Sequence, residues 1–151
     1  MKLPGNRDKK IIDGTHRIVF YLLPLLGLAF LLWYIKNAAC DVVYSDYIRL
    51  VNSYLPDVFN PEKFFVADVL TRIPINYLSR IINVKFFGFS ITFDRVLGAV
   101  SVSLAAWCFA AYSRQLKINI KWFITFMIVM FSLNKWEMLT NGSGWSHFFA
   151  F

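Results

Sequence analysis

The chain has 151 residues, of which 58% are hydrophobic and 19% aromatic, with 16 phenylalanines and a mean hydropathy of +0.52. An ordinary soluble domain is less apolar, so this composition excludes one and points to an all-α, polytopic integral membrane protein. The net charge of +7 comes without a stacking motif or basic-aromatic array, so it speaks for membrane topology and against a nucleic-acid partner.

Residues 1–17 form a short, basic amino-terminal segment. The uncharged run IVFYLLPLLGLAFLLWYI then extends from Ile18 to Ile35 between Arg17 and Lys36. At ~1.5 Å per residue it nearly covers a hydrocarbon core of ~30 Å, and its basic flanks can snorkel to the headgroups. Residues 18–36 are therefore read as the first span; Pro24 and Gly27 are compatible with it, as both are frequent in membrane helices. A cleaved signal peptide is the competing reading, opposed by the length of the run and the apolar runs that follow.

Residues 37–95 read as a large outer loop. Tyr44, Tyr47, Ile48, Val51 and Leu55 share one side of a helix, with Asp46, Arg49 and Ser53 toward the other, the pattern of a helix lying along a membrane surface. Asn60, Pro61 and Glu62 signal a second helix start, and Pro74 predicts a break at Ile73. Beyond it, Ile75, Leu78, Ile81 and Ile82 face one way and Asn76, Ser79, Arg80 and Asn83 another. The expectation is an apolar face on the bilayer and a polar face in water.

A second span is expected over 96–113, rich in small residues that permit close helix packing, followed by a cytoplasmic loop at 114–121. A third follows at 122–135, short unless Lys121 and Lys135 snorkel. A short outer loop covers 136–144, and a fourth span starts at 145–151, where the sequence stops as though a longer protein continued. Residues 1–17 and 114–121 hold eight basic and two acidic residues; the remaining connections hold eight and seven. That asymmetry places the amino terminus in the cytoplasm, in a membrane read as bacterial plasma membrane.

Cys40 and Cys108 lack metal-ligand spacing, His16 and His147 lie near opposite ends, and there is no glycine-rich phosphate loop or nucleophile elbow. The chemistry-bearing stretch is CDVVYSDYIRLVNSYL, residues 40–55. Asp41 and Asp46 lie about 140° apart on an unbroken helix and converge only if the chain turns between them. They either solvate a membrane exit or supply a general base or metal ligand for a lipid-linked substrate.

A cytoplasmic amino terminus, one span, an outer loop with an acidic pair near its start, surface-lying helices and then closely connected spans resemble the opening module of polytopic GT-C-type glycosyltransferases. The likeness covers the chain as architecture; its acids are spaced D-x-x-x-x-D, where that family usually has adjacent acids. It implies transfer of a sugar from a polyprenyl-phosphate carrier to an acceptor at the outer face, with Asp46 or Asp41 as the base. It further implies that Arg49, Arg72 and Arg80 stabilise the departing phosphate. Glu137 and His147, in the second outer segment, would complete the site. Divalent-metal dependence is left open, and membrane lipid and the polyprenyl-phosphate sugar are the implied partners. The rival reading is a non-catalytic membrane component, a transporter segment or an accessory subunit, whose outer loop docks a partner.

Overall fold

The computed structural model describes residues 6–38, 48, 58–62 and 74–141. The regular elements among them are helical: α1 (Asn6–Ala38), α2 (Pro74–Phe87), α3 (Ile91–Gln115), α4 (Ile120–Met130), a 3-10 turn (Leu133–Lys135) and α5 (Trp136–Asn141). There is no strand among the described residues. Two helices are long and apolar enough to cross a bilayer: Arg17–Ala38 within α1 and α3 itself.

Helices α1 and α3 form the principal packing pair. The face that α3 buries carries Gly98, Ala99, Val102, Ala106, Ala110 and Ser113, and these small side chains let the neighbouring backbone come close. Ser103 is also buried, and its hydroxyl is satisfied within the helix by the carbonyl of Ala99 at 3.0 Å. Pro24 lies inside α1 and removes the N–H that would meet the Phe20 carbonyl. One residue away, Trp107 Nε1 of α3 donates to the Tyr21 carbonyl at 3.3 Å, tying α3 to α1 beside that gap.

Helix α4 closes the third side. The Asn119 side chain caps it by accepting from the Lys121 N–H at 2.9 Å. Phe123 stacks on Phe20, with ring centroids 4.1 Å apart. Phe131, just past the end of α4, lies against Gly27: a Cβ at Gly27 would fall 2.4 Å from the ring. The glycine is what lets an aromatic ring rest on the α1 backbone. Phe20, Leu31, Ile35, Ala106, Met127 and Leu139 complete the shared core.

The second span expected over 96–113 is part of a longer helix, because Ser90 caps α3 and its first turn includes Asp94 and Arg95. The stretch expected as one span over 122–135 is divided. Helix α4, 11 residues long, ends at Met130, a turn follows, and α5 starts after the 3-10 residues. Eleven residues rise roughly 16 Å, about half a hydrocarbon core.

The outward surface is apolar over large areas. Ile18, Tyr21, Leu22, Leu25, Leu26 and Trp33 of α1 are exposed, as are Trp122, Phe126, Ile128 and Val129 of α4. Of the most apolar window in α1, 22% is buried, far less than a core helix of a soluble domain requires.

Helix α2 corrects the expectation from sequence that its polar face lies in water. Its polar residues Ser79, Arg80 and Asn83 are buried against the protein, while Leu78, Ile82 and Phe86 are exposed. The reason is that Arg80 and Asn83 find charged and backbone partners on α3 that water would otherwise supply.

Candidate functional site

The buried charged groups, with Asn83, gather at the Ile91 end of α3. Asn83, on α2 and fully buried, organises them. Its Oδ1 accepts from the Ser90 N–H at 2.8 Å, and its Nδ2 donates to the Ser90 carbonyl at 3.0 Å and to Asp94 Oδ2 at 3.2 Å. Its own carbonyl accepts from the Phe89 N–H at 3.2 Å, across a turn in which Gly88 and Phe89 have φ values of 61° and 64°. Glycine takes that left-handed conformation freely; for Phe89 it costs on the order of 1 kcal/mol or more, which the clasp on either side offsets. The same Ser90 caps α3 by accepting from the Phe93 N–H at 3.4 Å.

This clasp brings Arg80, one helical turn before Asn83, onto Asp94. The Arg80 guanidinium donates to Asp94 Oδ2, and both side chains are shielded from solvent. Asp94 also occupies the first turn of α3, where the positive end of the helix dipole favours a carboxylate. A buried ion pair loses much of its attraction to desolvation, and the hydrogen bond from Asn83 and the dipole both favour the ionised Asp94 carboxylate.

The next residue, Arg95, points to a different element. Its Nε donates to the carbonyl of Thr140 in the last turn of α5, where backbone oxygens lack helical donors and carry partial negative charge. Adjacent residues of one helix turn thus fasten α2 on one side and α5 on the other. A further tie joins the Tyr77 hydroxyl of α2 to the Asn60 carbonyl at 3.0 Å, and Asn60 Oδ1 accepts from the Glu62 N–H at 3.1 Å, the capping geometry that Asn60-Pro61-Glu62 predicts.

Beside this polar junction lies an apolar crevice of about 370 Å³, bounded by Leu31 of α1, Val102 and Phe109 of α3, Met130 of α4, and Trp136 and Leu139 of α5. Ser132 and Asn134, in the break between α4 and α5, also line it. Helix α5 is shared: Leu139 lines the crevice and the next residue, Thr140, holds Arg95. The volume falls within the range of small-ligand sites, with an apolar wall and a few polar groups.

Among the residues expected from sequence to act on a substrate, Arg80 belongs to the junction, buried and bonded to Asp94. Glu137 is exposed in the first turn of α5, and its backbone carbonyl accepts from the Thr140 hydroxyl at 3.3 Å. Asp41, Asp46, Arg49, Arg72 and His147 lie outside the described residues. Asp94, Arg95, Asn83 and Thr140 were not singled out from sequence. The available signal was Ser90 followed by an acid in the next turn, a helix start that would have drawn Asp94 and Arg95 into the helix. Among the described residues no group of three or more His, Cys, Asp or Glu side chains is placed to hold a metal ion. No family model, curated protein or solved structure matches the chain.

Proposed function

We propose that this chain is a membrane-embedded module that handles a polyprenyl-phosphate-linked sugar, and that the sugar is transferred at the end of the bundle where α2, α3 and α5 meet. The observation that supports it is the adjacency, through α5, of an apolar crevice and a buried charged junction: Leu139 faces the first and Thr140 the second. An isoprenoid tail fits the crevice, whose wall is apolar with a few polar groups at the break between α4 and α5. The apolar outer surfaces of α1, α3 and α4 fit a bilayer, with α1 and α3 as spans and α4 together with α5 as a broken third. Asp46 or Asp41 remains the proposed general base, from the sequence of the loop that precedes α2.

A polyprenyl-phosphate hexose carrying a photoactivatable group in its tail tests this in membranes that contain the protein. Adducts should form on the crevice wall, at Phe109 or Met130, and excess unlabelled polyprenyl phosphate should suppress them while phosphatidylethanolamine does not. Asp46→Asn should abolish hexose transfer with adduct formation intact. Equal suppression by phosphatidylethanolamine would reduce the crevice to a general lipid contact, and full transfer by Asp46→Asn would remove the proposed base.

A further inference from the structure

The opposite end of the bundle carries a second charged feature that the sugar-transfer reading does not use. Arg114, in the last turn of α3, donates from its guanidinium to the Tyr21 hydroxyl of α1 and lies over the Tyr21 ring, 5.3 Å from its centroid. Arg17 is exposed one turn before Tyr21 on the same face of α1. The α3–α4 connection then turns sharply. Lys117 has φ 52° and donates its N–H to the Arg114 carbonyl at 3.2 Å, and the Ile118 N–H returns to the Ser113 carbonyl at 3.0 Å. The turn leaves Lys117 and Lys121 both exposed. The Asn119 cap fixes where Lys121 and Trp122 stand.

Three aromatic side chains stand among these cations, Tyr21, Tyr112 and Trp122, all more than half exposed. No acidic residue occurs between positions 96 and 136, so nothing on that stretch neutralises Arg114, Lys117 and Lys121, and Arg17 has Asp13 one turn before it on α1. Tyrosine and tryptophan favour the headgroup level of a bilayer, and arginine forks match phosphate oxygens.

We infer that Arg17, Arg114, Lys117 and Lys121 form a collar that binds the phosphates of anionic phospholipids, with Tyr21, Tyr112 and Trp122 seated in the headgroup layer around them. The occupant follows from charge and depth together: four cations among exposed aromatic rings at the end of two bilayer-length helices meet a lipid phosphate before any soluble anion. Fixing Arg114 on Tyr21 holds one phosphate donor in place before lipid arrives. The inference rests on the membrane part of the proposal above and is independent of sugar transfer.

The test is the thermal midpoint of the full chain in a neutral detergent, titrated with phosphatidylglycerol, phosphatidylcholine or inorganic phosphate. Phosphatidylglycerol should raise the midpoint by about 4 °C more than phosphatidylcholine, an advantage that added salt diminishes. The variant Lys117→Gln/Lys121→Gln, which leaves the Arg114–Tyr21 contact in place, should lose at least about half of that advantage with its midpoint in phosphatidylcholine unchanged. Equal rises with the two lipids, an equal rise with inorganic phosphate, or full retention of the advantage by the variant would each overturn the collar. Alkaline carbonate washing of membranes separates the two ideas. A chain that stays in the membrane but shows no lipid preference removes the collar alone, whereas a chain released into solution removes the bilayer reading as well.

Discussion

Asn83 has one side-chain amide and spends it on three partners, two of them the backbone of Ser90 and the third the carboxylate of Asp94. Removing it leaves the half-buried Ser90 N–H and carbonyl and part of the buried Asp94 carboxylate to be satisfied elsewhere. Asn83→Ala should therefore cost roughly 2–4 kcal/mol, seen as a lower midpoint in thermal or denaturant unfolding in detergent. Asp94→Asn should cost about 3–5 kcal/mol, because it removes the carboxylate that faces the buried Arg80 guanidinium. Replacing both partners with apolar residues, Arg80→Met with Asp94→Leu, should restore most of that loss; a double variant as unstable as Asp94→Asn would show that the pair contributes net attraction beyond its mutual compensation. None of these contacts is legible in sequence, since residues 80 and 94 belong to different helices and only the turn at Gly88 and Phe89 brings them together. The ranges read from sequence leave residues 94 and 95 at the end of the outer loop, just before the span expected over 96–113. Here the partners from α2 and α5 carry them inside.

Among the elements, the long apolar helices were legible and the placement of their neighbours was not. Composition and length alone identify α1 and α3, whereas the division of the third apolar stretch depends on Phe131 reaching Gly27, a contact between residues about a hundred positions apart. Gly27→Ala should force that ring aside and cost about 1–3 kcal/mol, with the loss reduced in a Phe131→Ala background, as a double-mutant cycle would measure. Helix α2 shows the limit of periodicity most clearly. The spacing of its polar and apolar residues was read correctly as amphipathic, but periodicity does not say which face meets the protein, and the polar face does. With Cys40 and Cys108 replaced by serine, Phe86→Cys should react readily with a lipophilic thiol reagent and Ser79→Cys should be protected. Ready reaction of Ser79→Cys with a water-soluble thiol reagent would restore the water-facing polar side expected from sequence.

At the scale of the molecule, α3 acts as a ruler. Its 25 residues rise roughly 36 Å, with the Arg80–Asp94–Arg95 junction at one end and the Arg114–Lys117–Lys121 collar at the other. Between them the buried face is built of small residues and the outward surface of the bundle is apolar. A soluble protein gains nothing from that arrangement, whereas in a bilayer it puts both sets of charges at the two boundaries and lipid against the exposed leucines and aromatics. Whether the two ends stand on opposite sides of a membrane is therefore the claim on which the lipid-linked substrate, the crevice and the collar all depend. The most direct measurement is the labelling of single cysteines by a membrane-impermeant thiol reagent in sealed vesicles of known orientation, with Cys40 and Cys108 replaced by serine. Lys85→Cys, on α2, and Gln115→Cys, at the far end of α3, should label from opposite sides. Labelling of both from the same side, without permeabilisation, would contradict a spanning α3 and everything built on it.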